Sequence, residues 1–183
     1  MALAPKDTMT MAEFLEWVNL QDQGKFELLD GHIVAMSPEF IGHTRAKMSA
    51  AAALKAAIAT AGKDCEAFVD GPMIAIDETS AFQPDALVNG GPHLSGTVMF
   101  ASEPVVVVEV LSPSTKHIDK TKKLQAYFKV PAVQHYLIID LSNRAVVHHQ
   151  RQSEDLILTA LVRKGDITLD PPGLTVALDD LLG

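Results

Sequence analysis

Glu109 stands inside Val105-Val106-Val107-Val108-Glu109-Val110-Leu111, a run without alternation, which is the pattern of a strand buried on both faces. An ionised carboxylate in such a strand costs several kcal/mol unless a cation compensates it. That cation is either a lysine or arginine, or a divalent metal, for which carboxylate oxygens are suitable hard ligands. Asp85 follows Pro84 and opens the short apolar stretch Ala86-Leu87-Val88. Pro-Asp alone reads as a turn. With an acidic partner 24 positions later on the next strong strand, neighbouring strands would bring Asp85 and Glu109 within reach of one ion. Downstream, Lys116, Lys120 and Lys123 have i, i+4, i+7 spacing and share one helix face. Such a face is either simply solvated or, as the clearest concentration of positive charge in an acidic chain, a contact for a phosphate backbone.

The elements that must position these residues can be read in turn. Thr10-Met11-Ala12-Glu13 is a capping box that opens a short peripheral helix through Trp17. Lys25 to Leu29 and His32 to Met36 flank Asp30-Gly31, a strong hairpin signal, and the sheet is expected to start there. Residues 41–61 are alanine-rich, with Leu54 and Ile58 at i, i+4 and Gly62 as the C′ residue, and predict the long helix. Strands follow at Cys65 to Val69, Met73 to Ile76 and Asp85 to Val88, separated by Gly71-Pro72 and a polar loop from Glu78 to Gln83. Another surface loop is expected from Asn89 to Gly96. Helices should cover both sides of the valine strand, which Ser112-Pro113-Ser114-Thr115 ends. A helix from Asp119 to Lys129 carries the apolar stripe Leu124, Tyr127 and Phe128. Strands at 134–140, 145–150 and 156–162 and a short helix around Leu178 to Leu182 complete the pattern.

A chain of 183 residues fits one domain, 1–183, large enough to bury a core without disulfides. With 48% hydrophobic and 21% charged residues it lies far from the composition of disorder. The lone Cys65 excludes an intramolecular disulfide and a thiolate cluster, and suits a reducing cytoplasm. No secretory signal or run of membrane-spanning length is visible. A net charge of −8 argues against broad coating of nucleic acid, though not against an enzyme whose lysines gather at its site.

The segments ELLDG at Glu27 to Gly31, PDALV at Pro84 to Val88 and EVLSPST at Glu109 to Thr115, followed by Asp119, Lys123 and Tyr127, resemble the Uma-two type of restriction endonuclease. That family belongs to the PD-(D/E)XK nuclease superfamily, and the likeness spans nearly the whole chain. The resemblance implies an α/β (α+β) restriction-endonuclease-like fold, a mixed central β-sheet flanked by α-helices. It implies Mg²⁺ or Mn²⁺ held by Asp85, Glu109 and the backbone carbonyl of Val110. Leu111 occupies the place where the superfamily pattern has lysine, and Lys123 on the next helix is the matching residue. Glu27 resembles an additional acidic residue near the site, Tyr127 belongs to the signature, and His43 is a candidate substrate contact.

The function implied is metal-dependent hydrolysis of phosphodiester bonds, with DNA as partner, by a cytoplasmic homodimer. Lys123 would orient the attacking water and balance transition-state charge, with Lys116 and Lys120 contacting nucleic acid. The alternative is a catalytically inactive descendant of the fold that serves as a binding or assembly module. Other chemistries are poorly supported. His148 and His149 are adjacent on a strand and point to opposite faces. His93, His117 and His135 lack metal-ligand spacing, and Ser112 and Ser114 lack a nucleophile-elbow context.

Overall fold

The computed structural model describes residues 8–36, 38–111 and 120–183. The expected strand end at Ser112-Pro113-Ser114-Thr115, and Lys116, His117 and Asp119, lie outside them. A six-stranded mixed sheet forms the centre, in the order β10 (Ile157–Val162), β9 (Ala145–Arg151), β8 (His135–Asp140), β7 (Pro104–Val110), β6 (Ala86–Gly90), β3 (Cys65–Val69). Its neighbours are antiparallel except for the parallel pair β7 and β8. The fold is the expected mixed sheet flanked by helices.

The valine strand is covered on both faces. Val106, Val108 and Val110 join a core under α2 (Ile41–Ala61) and α4 (Leu178–Leu182). Val107 packs on the other side with Tyr127 and Phe128 of α3 (Lys120–Lys129). Alternation along β7 therefore turns Glu109 toward α3. α2 ends where Gly62 takes the left-handed conformation at φ 61°.

Several expectations need correction. The hairpin of β1 (Phe26–Leu29) and β2 (His32–Ala35) does not begin the central sheet but belongs to a separate four-stranded sheet, β2-β1-β5-β4. The stretch Glu78 to Gln83 is no simple loop, because β4 (Ile74–Asp77) turns into β5 (Ser80–Phe82), and Asp77 Oδ1 accepts from the Thr79 amide at 3.0 Å. Ala81 and Phe82 are buried there, so a three-residue strand follows a polar turn. The small sheet also takes part of the surface of the central sheet expected for helices, through Ile74 and Phe82. At the C-terminal end, β11 (Asp166–Leu169) and β12 (Leu174–Ala177) form an unforeseen hairpin that buries Ile167, Leu169, Leu174 and Val176 in the α2 core. β6 also runs through Gly90 into the expected Asn89 to Gly96 loop. Elsewhere α1 (Met11–Val18) carries the expected capping box, and its Phe14 is fully buried in the small-sheet core.

A buried histidine pair ties the sheet to the C-terminal segment. His135 is fully buried, and its Nε2 lies 2.9 Å from the Pro171 carbonyl, which can only accept. Nε2 therefore carries the proton, and Nδ1 accepts from His148 Nε2 at 2.9 Å. Burial, with His148 alongside and only partly offset by the Pro171 carbonyl and Asp170, pushes the His135 pKa down to about 4. The unfolded chain thus binds a proton that the folded chain refuses between about pH 6.5 and 4. Stability contributed by neutral His135 is complete above the unfolded value and lost as pH falls through the folded one, up to about 3 kcal/mol. Urea midpoints should fall steadily from pH 7 to 4.5, and His135→Gln should flatten much of that fall; an unchanged slope in the variant would contradict the assignment.

Candidate active site

The site forms where β6 and β7 meet the end of α2. The Ala86–Val108 register, carried one residue further, sets Asp85 opposite Glu109. The backbone fixes Asp85: its Oδ2 accepts from the Val110 amide at 2.7 Å, and its own carbonyl accepts from the Asp70 amide at 3.1 Å. Asp85 is 5% exposed, so this charge-assisted bond lies out of bulk water.

Glu109 is reached from α3. Lys123 Nζ donates to its Oε1 at 2.9 Å and the Tyr127 hydroxyl donates to the same oxygen at 2.7 Å. Lys123 and Tyr127 are i, i+4 neighbours, so one helical face delivers both donors. Among the described residues no donor reaches Glu109 Oε2. Lys123 also contacts Glu27 Oε1 at 3.3 Å, and that oxygen accepts from the Gln83 amide at 3.1 Å. The ammonium lies 5.5 Å from the centroid of the Phe82 ring, which packs edge-on against Tyr127.

Two carboxylates, Glu27 and Glu109, therefore share one ammonium, with Asp85 on the neighbouring strand acting on Glu109, and the electrostatics follow. Burial pushes the Glu109 pKa up; Lys123 opposes that shift, while Asp85 and Glu27 add to it. Burial alone would lower the pKa of Lys123, but Glu109 and Glu27 outweigh it and hold the group above its ordinary range. Lys123 is thus a fixed cation and not a proton acceptor. Burial, Glu109 and Glu27 keep the Tyr127 phenol protonated, and so a donor.

A second layer on α2 joins His43, a candidate from the sequence, to Lys47, which the sequence did not single out. Lys47 is 1% exposed, yet its Nζ contacts Asp70 Oδ1 at 2.6 Å, Glu39 Oε1 at 2.6 Å and Asp85 Oδ1 at 4.0 Å. Burial opposes its charge, and Asp70 and Glu39 more than restore it. One turn earlier, His43 Nε2 lies 3.1 Å from Asp85 Oδ1, a hydrogen bond that raises the His43 pKa against its burial. His43 Nδ1 is buried and has no hydrogen-bond partner among the described residues. The only sequence signal for Lys47 was a lysine four residues after His43, on the line that continues through Ala50, Leu54 and Ile58. Asp70, at φ 46° in the turn after β3, had none.

The donor chemistry fits a divalent cation. Asp85 faces Glu109 on one side, and on the other its oxygen lies within 4.8 Å of donor atoms of Glu39 and His43. Of these two sets the carboxylate pair is all oxygen, as Mg²⁺ prefers, whereas the other includes the His43 nitrogen. Of the other expected contacts, Lys120 opens α3 and Lys116 lies outside the described residues. His148 and His149 do face opposite sides of β9, one toward His135 and the other stacked on Tyr136.

The profile of the Uma2 family, described as "Putative restriction endonuclease", matches residues 11–180. The chain belongs to the Uma2 family. Two Synechocystis proteins resemble it: "Uncharacterized protein slr1290" is 29% identical over 96% of this chain and 92% of its own length, and "Uncharacterized protein sll1609" is 29% identical over 88% and 92%. In structure, "a putative nuclease belonging to DUF820" from Anabaena variabilis superposes with a TM-score of 0.73 at 18% identity, covering 95% of this chain and 97% of that one. The structural match concerns the fold, and the family supports a nuclease role in general terms. Among the described residues no helix is long and apolar enough to cross a membrane.

Proposed function

We propose that this Uma2 protein is a divalent-metal-dependent endonuclease that hydrolyses phosphodiester bonds of DNA, acting in the cytoplasm as a homodimer. The observation that carries the reading is the gathering of carboxylate at a buried point: Glu27 and Glu109 share the ammonium of Lys123, and Asp85 lies close enough to add to the rise in the Glu109 pKa. A folded protein that concentrates negative charge in this way is built to receive more positive charge. Asp85 and Glu109 would hold the ion. The N–H and C=O of an extended residue point the same way, so the Val110 carbonyl shares the direction of the amide bound to Asp85 and is the natural third ligand. Mg²⁺ or Mn²⁺ supplies Lewis-acid stabilisation of the charge that develops on the phosphoryl group.

The chain's own residues do the rest. The Val110 amide and His43 hold Asp85 from two sides, and Tyr127 holds Glu109. Lys123 keeps its proton, orients the attacking water and neutralises charge in the transition state. Lys116 and Lys120 would meet the DNA backbone. Homodimerisation supplies the two sites that cutting both strands requires.

The net charge of −8 favours a second reading, an inactive member of the fold that only binds or assembles. Metal titration separates the two. An ion that binds the native state at about 100 times its Kd adds about 2.7 kcal/mol, which raises Tm by about 5–10 °C in a domain of this size. EDTA should reverse the shift and stop cleavage of a DNA substrate. No shift with either Mg²⁺ or Mn²⁺ would put the binding module in front.

A further inference from the structure

Strand β10 lies at one border of the central sheet, paired on one side to β9 and on the other to no strand among the described residues. Open edges are usually shielded by charge, proline or a bulge. β10 has none of these between Ile157 and Val162, and Leu156, Leu158 and Leu161 are 59%, 54% and 56% exposed. Charge appears only at its two ends. Glu154 and Asp155 precede the strand, Arg163 and Lys164 follow it, and all four are exposed with no ion-pair partner among the described residues.

The direction of its free backbone groups can be worked out. The Gln152 amide donates to the Leu156 carbonyl at 2.8 Å, so Leu156, and with it Leu158, Ala160 and Val162, turn their backbone groups toward β9. Ile157, Thr159 and Leu161 turn theirs outward. We infer that this edge pairs antiparallel with β10 of a second copy of the chain, about a two-fold axis through Thr159. Such an axis is perpendicular to the sheet and keeps each face on its own side, so only residues of the same parity can stand opposite one another.

Centred on Thr159, outward-facing Ile157 meets outward-facing Leu161, Leu158 meets Ala160, and Leu156 meets Val162. Beyond the apolar stretch, Asp155 stands opposite Arg163 and Glu154 opposite Lys164, and symmetry repeats both pairs. Centring on Ala160 instead sets Leu156 against Lys164 and Glu154 against Asp166. The pattern of charge therefore selects one register for a self-complementary strand. β7 lies three strands in from this edge, so the pairing leaves both candidate sites open. The inference gives a physical form to the homodimer proposed above, but it rests on β10 alone and holds whether or not the chain cuts DNA.

The test is the solution mass of the full chain by light scattering and sedimentation, which does not depend on nuclease activity. Wild type should have the mass of two chains at micromolar concentration. Glu154→Lys with Asp155→Lys, and separately Arg163→Glu with Lys164→Glu, should each weaken self-association by at least about tenfold, because four attractive cross-strand pairs become repulsive. Mixing the two variants restores all four attractive pairs, two with the original signs and two with the signs exchanged, and should give a heterodimer. A monomeric wild type, charge variants that dimerise as wild type does, or a mixture that stays monomeric would each overturn the pairing.

Discussion

Glu109→Gln should reduce metal-dependent DNA cleavage by about a thousandfold or more, and remove the rise in Tm that Mg²⁺ or Mn²⁺ gives, without harming the metal-free fold. The amide oxygen still accepts from Lys123 and Tyr127, both of which bond to Glu109 Oε1. The raised Glu109 pKa means that the folded chain holds the proton more tightly than the unfolded chain. At any pH above its ordinary range, then, the burial of its charge disfavours folding, and the substitution relieves that cost. The metal-free variant should therefore melt at or above the wild-type temperature while losing function. Asp85→Asn should also abolish cleavage, but at a different structural cost. Asp85 accepts on both oxygens, from the Val110 amide and from His43, and an amide has one oxygen to offer. One contact is lost, and metal-free stability should drop by about 1–3 kcal/mol. Cleavage that survives Glu109→Gln, or a metal shift that persists in it, would dismiss Glu109 as a ligand.

The parts of this site legible in the sequence were those where a residue type conflicts with its surroundings along a regular element. Glu109 conflicts with a valine strand, and the conflict is visible without any knowledge of the partner. Lys123 and Tyr127 were legible because i, i+4 spacing sets them on one helical face, and they entered through a family signature. Lys47 is as buried as any site residue, yet α2 is alanine-rich all round. With no contrast between its faces, the sequence does not say which lysine points inward, and Lys55 on the same helix is exposed. Asp70 and Glu39 depend on contacts with Lys47 that cross 23 and 8 residues of chain, and such pairings exist only once the topology does.

The errors in the fold have the same physical origin. Local signals were reliable: the Thr10–Glu13 capping box, the Asp30-Gly31 turn and the Gly62 C-cap all form. β5 was hidden because three residues are too few to show a period, and Ser80 accepts from the Asp30 amide at 3.2 Å as part of a sheet assembled from distant hairpins. β11 and β12 do show period-two alternation, Ile167 with Leu169 and Leu174 with Val176. There the signal existed, and it begins at Asp166 directly after Lys164-Gly165, so that turn and strand share residues.

Lys123→Ala should lower cleavage by about a hundredfold to ten-thousandfold while metal still binds, since an ammonium is not a ligand. Its effect on stability should be opposite to that of Glu109→Gln. Removing the ammonium leaves Glu27 and Glu109 without their shared partner at 3.3 and 2.9 Å, and strands negative charge in a buried place. The metal-free variant should lose stability for that reason. An added divalent ion then becomes the only strong compensating charge beside Glu109, so the metal-induced rise in Tm should exceed that of wild type. Lys122→Ala is the control, because the preceding residue on α3 is exposed whereas Lys123 is turned inward. It should leave cleavage within about tenfold and the metal shift unchanged, with at most a weaker dependence of binding on salt. Equal loss of cleavage in the two variants would mean that α3 attracts DNA as a basic surface and that Lys123 has no special place in the chemistry. A smaller metal shift in Lys123→Ala than in wild type would mean that the ion binds away from Glu109, and would direct attention to Glu39, His43 and Asp85, where a nitrogen ligand favours Mn²⁺ over Mg²⁺.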